Sequence, residues 1–437
     1  MLTLLPHQLK SIEKIRQTRG VYDASDLGTG KTITALYSIA QHGGLAVVVV
    51  PAYLRCNWAR EAGKFFPELP VIVYSSKVKK IPAGTRIVIM SYEAMQKTEK
   101  IFRGAQFWVF DESHALANHQ SLRSKAAMAY ARSYRPQKIL LMSGTPIRSK
   151  IPNLYPALRI LDEVNNNGFN ARFKTARSFC TQYTHEEIKK INGFLVTEYV
   201  GAKNVEELKH WLRPVYFKNK LSDVADIPSL SFVDITLDVS DKKAETQLQK
   251  EWDSYIKGGL KPEDYGDGMV GEHISTAKAS SALHKSDEVS RFAIDLIESE
   301  SYKKLVIFTD HRASAKNIAA KLRSSKIGVR LIMGGTSDKD RDEAVQSFQN
   351  GDVEVIIGTI GAMSAGLTLT AAHCALFCDL SWTPAQNAQA YGRIHRISQK
   401  EKCIIYRFST AGVDEAITRN IVEKTKTINA VFGEGNA

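Results

Sequence analysis

Asp26-Leu27-Gly28-Thr29-Gly30-Lys31-Thr32 follows the run Gly20-Val21-Tyr22-Asp23-Ala24-Ser25 and precedes Ile33-Thr34-Ala35-Leu36-Tyr37-Ser38-Ile39. The first flank predicts a short strand and the second a helix, so the string occupies a strand-to-helix turn. Gly28 and Gly30 let the backbone turn its N–H groups onto an anion at the helix N-terminus, where the peptide dipoles also favour negative charge. Lys31 adds a point charge for the β- and γ-phosphates of a nucleotide, and the Thr32 hydroxyl supplies a ligand for Mg²⁺. Ser25 stands where the strict phosphate-loop pattern has its first glycine, and a turn that only opens a helix has the same composition. A second string separates these readings.

Phe107-Trp108-Val109-Phe110 is an apolar run that ends in Asp111-Glu112-Ser113-His114. An isolated Asp-Glu pair is more often a solvated loop. Delivered by a buried strand downstream of a phosphate loop, the two carboxylates have distinct uses: Asp111 to hold a metal and Glu112 to polarise an attacking water. Together the two strings describe a site that hydrolyses a Mg-nucleotide.

The 437 residues suggest two or three domains, and 43% hydrophobic content is enough for proper cores. The longest aliphatic run, Leu45-Ala46-Val47-Val48-Val49-Val50, stops at Pro51 and suits a buried parallel strand, while Met1-Leu2-Thr3-Leu4-Leu5 lacks the basic start and length of a signal peptide. The chain therefore reads as cytoplasmic, without a membrane partner. Cysteines at 56, 180, 374, 378 and 403 form no CxxC pair and are odd in number, which argues against a zinc site and a disulfide framework. Cys374 and Cys378 either point to opposite faces or pack in a core strand. A net charge of +13 makes nucleic acid the obvious polyanionic partner, against the plainer reading of a merely basic protein.

Along the chain, two blocks alternate strands and helices. In the first, from residue 20 to about 162, apolar strands are expected at 45–51, 71–75, 86–91, 107–111 and 138–142, with a helix such as Leu54 to Phe65 between them. The second, 304–409, repeats the pattern with strands at 305–308, 329–332, 353–357, 374–377 and 403–406. Such alternation marks α/β folding with parallel sheets covered on both faces. Residues 163–289, which include Asn165-Asn166-Asn167-Gly168 and a Gly- and Asp-containing loop from Lys261 to Glu272, read as helical insertions and a linker. The expected domains are thus 1–162, 163–289 and 290–437.

The second block has no phosphate loop, yet it contains Gln389-Ala390-Tyr391-Gly392-Arg393-Ile394-His395-Arg396. On a helix, positions 389, 393 and 396 share a face. A solvated basic helix is the plain reading. The alternative is that this block supplies Arg393 and Arg396 to the γ-phosphate of a nucleotide site that has no arginine finger of its own, so that closing a cleft between lobes assembles the site and hydrolysis reopens it.

These strings, in this order, resemble the superfamily 2 helicase-like ATPases and, among them, the Swi/Snf-related DNA translocases, over nearly the whole chain. Leu5-Pro6-His7-Gln8 resembles the adenine-recognising Q motif with Gln8 as reader; Asp26 to Thr32 is similar to motif I, so Asp26, Leu27, Gly28, Thr29, Gly30, Lys31 and Thr32 are expected around ATP. Val49-Val50-Pro51 with Asn57-Trp58 and Glu61 resembles motif Ia, Ser91-Tyr92-Glu93 the next strand-contacting motif, and Asp111 to His114 motif II. Leu141-Met142-Ser143-Gly144-Thr145-Pro146-Ile147 is similar to motif III, which implies that Ser143 and Thr145, with His114, couple the nucleotide site to the lobe interface. Motif IV is matched by Val306 to Thr309, the block after it by Gly334-Gly335-Thr336 with Arg341, motif V by Gly358-Thr359 and Ala365 to Thr370, and motif VI by Gln389 to Arg396 with Gln399. Asp111 to Asn118 followed by Ser121 to Ala127, and Arg393 to Gln399, look most like the annealing-helicase branch. Leu27 and Thr29 depart from the commonest form of motif I.

The resemblance implies two RecA-like parallel-sheet lobes in tandem, ATP and Mg²⁺ as cofactors, and catalytic roles for Lys31, Glu112, Arg393, Arg396 and Gln389, with Thr32 and Asp111 on the metal. It also implies nucleic-acid contacts from motif loops, with candidates Arg55, Asn57, Ser91, Tyr92, Thr309, Gly335, Thr336, Thr359 and Ser364. Trp58 has a competing and stronger reading as a core anchor for its helix. Three function classes follow: a translocase on double-stranded or branched DNA, a strand-separating helicase on DNA or RNA, and a non-catalytic nucleic-acid-binding scaffold. Complete hydrolytic machinery disfavours the last. Against larger members of that family, the long flanking recognition domains that commonly set substrate choice are not expected within these 437 residues, and a protein partner is expected to supply specificity.

Overall fold

The computed structural model describes residues 4–432 apart from 76, 79, 148–149, 192–193, 225–226, 238–271, 364–365 and 411–412. It separates into two compact units, Met1–Ala225 with Thr427–Ala437 and Asp226–Lys426.

The first unit is built on a seven-stranded parallel sheet in the order β3-β4-β2-β5-β6-β1-β9. Its strands are β1 (Gly20–Asp23), β2 (Ala46–Val50), β3 (Val71–Val73), β4 (Ile87–Ser91), β5 (Phe107–Phe110), β6 (Lys138–Met142) and β9 (Tyr216–Phe217). The valine run of β2 explains its central place. Successive side chains leave a strand on opposite faces, and here both faces are covered: Val47 and Val49 join one core layer with Trp108, Phe110 and Leu141, whereas Val48 and Val50 join the other. That second layer is closed by α2 (Lys31–His42) through Ala35, Leu36 and Ile39, and by α3 (Arg55–Phe65) through Trp58 and Ala62. The preceding helix α1 (Pro6–Gln17) contributes Ile15.

Because β5, β6 and β1 are adjacent and parallel, the loops that follow them leave from one edge of the sheet. Asp26–Thr32, Asp111–His114 and Ser143–Thr145 are brought together this way, at the carboxyl ends of parallel strands where α/β folds bind ligands.

The unit does not end at residue 162. Helices Tyr155–Asn165, Ala176–Tyr183 and Val205–Leu212 place Leu158, Leu161, Phe179, Tyr183, Leu208 and Leu212 in the first unit's core, and β9 extends its sheet beside β1. Between these helices, β7 (His185–Ile191) and β8 (Phe194–Val200) pair antiparallel as a separate two-stranded sheet, so the expected insertion is only partly helical.

The second unit has a six-stranded parallel sheet ordered β10-β15-β14-β11-β13-β12. The strands are β10 (Leu230–Thr236), β11 (Leu305–Thr309), β12 (Val329–Ile332), β13 (Val355–Thr359), β14 (Cys374–Phe377) and β15 (Cys403–Ser409). Again neighbours along a strand face opposite layers, Val306 and Phe308 one way, Leu305 and Ile307 the other. Cys374 and Cys378 are buried on the same side, which selects the core reading for this pair. The expected boundary at 290 falls inside the helix Glu272–Glu298. A strand as early as β10 belongs to the second sheet, and its pairing with β15 rather than any local pattern puts it there. Of the loop expected at 261–272, all but Glu272, which opens that helix, lies outside the described residues. Among the described residues no helix is long and apolar enough to cross a membrane.

Candidate nucleotide site and nucleic-acid face

The loop after β1 turns on Gly28 and Gly30, both left-handed with φ of 86° and 84°, a region that only glycine enters without cost. Gly30 is the residue before α2, so the first N–H groups of that helix, which have no acceptor within it, open onto the loop. Lys31 folds back over the turn: its ammonium donates to the carbonyls of Ser25 at 2.6 Å and Asp26 at 2.9 Å. That places a fixed positive charge beside the helix N-terminus; burial raises the carboxyl pKa values of both Asp23 and Asp111, and the Lys31 charge only partly offsets it.

The missing glycine at 25 is put to use. The buried Ser25 hydroxyl accepts N–H groups from both the backbone and the side chain of Asn219, at 3.0 and 2.9 Å. Asp26 N–H donates to the Asn219 carbonyl at 3.0 Å, and the Asp26 carboxylate accepts the Leu221 N–H at 3.0 Å. A segment almost two hundred residues away thus braces the loop. Nothing in the sequence pointed to it, because a two-residue strand has no periodicity to detect.

Gln8 is buried against the loop, its Nε2 donating to the Thr29 carbonyl at 3.3 Å and its Oε1 accepting the Leu5 N–H at 2.9 Å. A side-chain amide has two donors and two acceptor lone pairs, so each end keeps capacity for a base edge. A Cβ on Gly30 would lie 2.3 Å from that Nε2 and displace the end of the Gln8 side chain, and the left-handed φ of 84° favours glycine there as well.

At the end of β5, Asp111 is almost fully buried. Its Oδ2 accepts the Trp58 indole N–H at 2.8 Å and its Oδ1 accepts the Glu112 N–H at 2.9 Å. Burial, then the neighbouring Glu112 charge, push its carboxyl up to about 6. Glu112 is held left-handed at φ 48°, a conformation that costs a non-glycine residue about 1–3 kcal/mol and persists only where surroundings impose it. One of those surroundings is His114, whose Nδ1 lies 3.2 Å from Glu112 Oε2 and 3.1 Å from Ser143 Oγ. Ser143 Oγ in turn accepts the Thr145 N–H at 3.1 Å. A continuous polar path therefore runs from Glu112 through His114 to the loop after β6.

These residues suit a Mg-nucleotide: N–H groups and an ammonium for phosphate oxygens, and the hard oxygens of Thr32 and Asp111 for a divalent cation. A second carboxylate stands beside them.

In the second unit the helix expected over 389–396 stops early. Helix Pro384–Tyr391 is closed at Gly392, and Arg393 and Arg396 lie on turns beyond it, so the shared helical face does not exist. Arg393 is buried, with Nε on the Gln389 carbonyl at 2.9 Å and Nη1 on the Leu367 carbonyl at 3.1 Å. Arg396 is only partly buried, with Nη1 on Thr368 Oγ1 at 2.9 Å. Gln389 is buried. Gln399 joins the same assembly by donating to the carbonyls of Ala372 and Ile394, each at 3.0 Å.

The expected nucleic-acid contacts divide by exposure. Arg55, Asn57 and Thr336 reach the surface in part and Gly335 fully. Tyr92 does not: it is buried and its hydroxyl donates to the Asp111 carbonyl at 2.8 Å. Ser91 is buried as the cap of the short helix after β4, accepting the Ala94 N–H at 3.2 Å. Thr309 is buried with its hydroxyl on Asp379 at 2.6 Å, and Thr359 is buried beside it on the sheet edge. Ser91, Tyr92 and Thr309 thus have their side-chain oxygens engaged within the fold, and Thr359 is buried. Ser364 lies outside the described residues.

The fold and the loop–carboxylate arrangement define a helicase-like ATPase core. Residues 13–265 match the SNF2-related domain, more than half of the chain, and residues 288–398 match the helicase conserved C-terminal domain; the chain belongs to the SNF2-related family. It is similar to the SWI/SNF-related matrix-associated actin-dependent regulator of chromatin subfamily A-like protein 1 of Xenopus laevis, at 27% identity over 94% of this chain and 42% of that protein. The protein of the same description from Drosophila melanogaster is 26% identical over 98% of this chain and 56% of its own length. The DNA annealing helicase and endonuclease ZRANB3 of Mus musculus is 26% identical over 91% and 37%. The chain thus spans about half the length of the curated relatives it matches. Among solved structures, the Sulfolobus solfataricus SWI2/SNF2 ATPase core in complex with dsDNA aligns with 99% of this chain and 94% of that one, at 20% identity and a TM-score of 0.44.

Proposed function

We propose that the chain is a DNA-stimulated ATPase that uses ATP with Mg²⁺ and converts hydrolysis into tracking along double-stranded DNA. The observation that carries this reading is the assembly on one sheet edge of the braced phosphate loop, the buried Asp111 and the strained Glu112 tied to His114 and Ser143. Lys31 and the N–H groups at the start of α2 bind the β- and γ-phosphates, and Gln8 meets the adenine. Thr32 and Asp111 would hold Mg²⁺, which when bound neutralises charge on the phosphate oxygens. Glu112 orients the attacking water and takes up its proton, held in place by His114. Arg396, the less buried of the two arginines, is the second unit's candidate for a charge-stabilising role in phosphoryl transfer, and Arg393 fixes the turn that carries it.

Nucleic acid is the partner that the positive charge favours, with Arg55, Asn57, Gly335 and Thr336 as accessible contacts; contacts to phosphate position a protein without reading sequence. Branched DNA is proposed as a further substrate form; the mouse relative is described as a DNA annealing helicase. Such an activity belongs wherever the cell keeps its DNA, in a nucleoid-containing cytoplasm or a nucleus. The test is ATP turnover with unbranched duplex DNA, forked DNA, single-stranded DNA and RNA added separately. Duplex-containing DNA should stimulate most, and stimulation by none of the four would refute the proposal.

A further inference from the structure

Two side chains from different elements direct their polar atoms at one residue. Trp58, from the inner face of α3, places its indole N–H 2.8 Å from Asp111 Oδ2; Tyr92, which opens the short helix after β4, places its hydroxyl 2.8 Å from the Asp111 carbonyl. Both are 1% exposed. Trp58 is thus the core anchor its helix needs, but filling a core does not require an N–H, and a buried indole must find an acceptor for it. With the Glu112 N–H on Oδ1, each carboxylate oxygen accepts one donor. The rotation of the carboxylate is thereby fixed, and each oxygen retains acceptor capacity for a cation.

We infer that Trp58 and Tyr92 are positioning residues for the metal-binding carboxylate: the indole orients the Asp111 side chain, and the Tyr92 hydroxyl fixes the peptide that carries it. The inference rests on the nucleotide-site reading proposed above and deepens it. Partners that orient a metal ligand from behind typically affect metal affinity about 10–100-fold when removed. Trp58 is the larger contributor because it touches the carboxylate itself, whereas Tyr92 acts through the backbone.

The experiment uses Trp58→Phe, which keeps an aromatic ring and deletes the N–H, and Tyr92→Phe, which deletes one hydroxyl, each in the full chain. Mn²⁺ binding in the presence of ADP, read from the electron paramagnetic resonance of free Mn²⁺, is compared with ADP binding in excess chelator and with the melting temperature. Mn²⁺ affinity should fall about tenfold or more in Trp58→Phe and by a smaller factor in Tyr92→Phe, while metal-free ADP binding stays within twofold of the parent. Unchanged Mn²⁺ affinity in both folded variants overturns the inference, as does an equal loss of metal-free ADP binding, which would mean general disruption. If Trp58→Phe does not fold, Tyr92→Phe decides alone: unchanged Mn²⁺ affinity overturns the role. A parent chain that binds ADP but shows no Mn²⁺ dependence would instead remove the metal-site reading on which the inference stands.

Discussion

Lys31 and Glu112 stand on the same sheet edge but perform separable tasks, and substitution should separate them. Lys31→Ala removes the ammonium from the phosphate path and should weaken nucleotide binding and abolish turnover. Glu112→Gln keeps the size and the left-handed position but loses the proton acceptor, so ATP should bind and remain unhydrolysed. Equilibrium binding of a fluorescent nucleotide beside single-turnover hydrolysis checks both; near-normal hydrolysis in either variant contradicts the assignment. The arginines should differ as well. Arg396→Ala should cut kcat by roughly 10³ or more, as for arginine fingers, with little change in melting temperature. Arg393→Ala leaves the Leu367 and Gln389 carbonyls without their buried donor and should lower the melting temperature of the second unit as well as kcat. Equal melting temperatures for the two variants would contradict this division. At this scale the sequence was informative where a residue type has one dominant use, as in Lys31, Thr32, Asp111 and Glu112. It was less informative where a polar side chain has two: Tyr92 and Thr309 read as surface donors, and in the fold each directs its hydroxyl to a buried acidic residue, Asp111 or Asp379.

Whole elements were legible in proportion to their apolar runs. Expected strands at 45–51, 107–111 and 138–142 differ from β2, β5 and β6 by no more than a residue at either end, because stretches such as Val47 to Val50 are buried on both faces and need no partner information to be read. By contrast, β9 and β10 belong to sheets through long-range parallel pairing with β1 and β15, and such pairing leaves no local trace. The turn carrying Arg393 and Arg396 was misread as helix because Gly392, a weak helix former, is a single residue in an otherwise helical pattern. The brace from Asn219 yields an element-scale prediction. Asn219→Ala deletes a donor to Ser25 Oγ and another to Ser11 Oγ, which should loosen the loop and raise the Kd for ATP several-fold while Mg²⁺ dependence is kept. Isothermal calorimetry with a slowly hydrolysed ATP analogue reads it; an unchanged Kd would mean that the loop holds its shape without the brace.

For the molecule as a whole, a net charge of +13 and surface contacts to phosphate predict binding that is steeply salt-dependent and nearly indifferent to base sequence. The central claim is movement along duplex DNA, and triplex displacement measures it most directly. A third strand bound to an unbranched duplex should be released in an ATP-dependent manner by the intact chain and not by Glu112→Gln, while the duplex itself stays paired in a parallel unwinding assay. Efficient strand separation without triplex release would contradict the account and place the chain among strand-separating helicases.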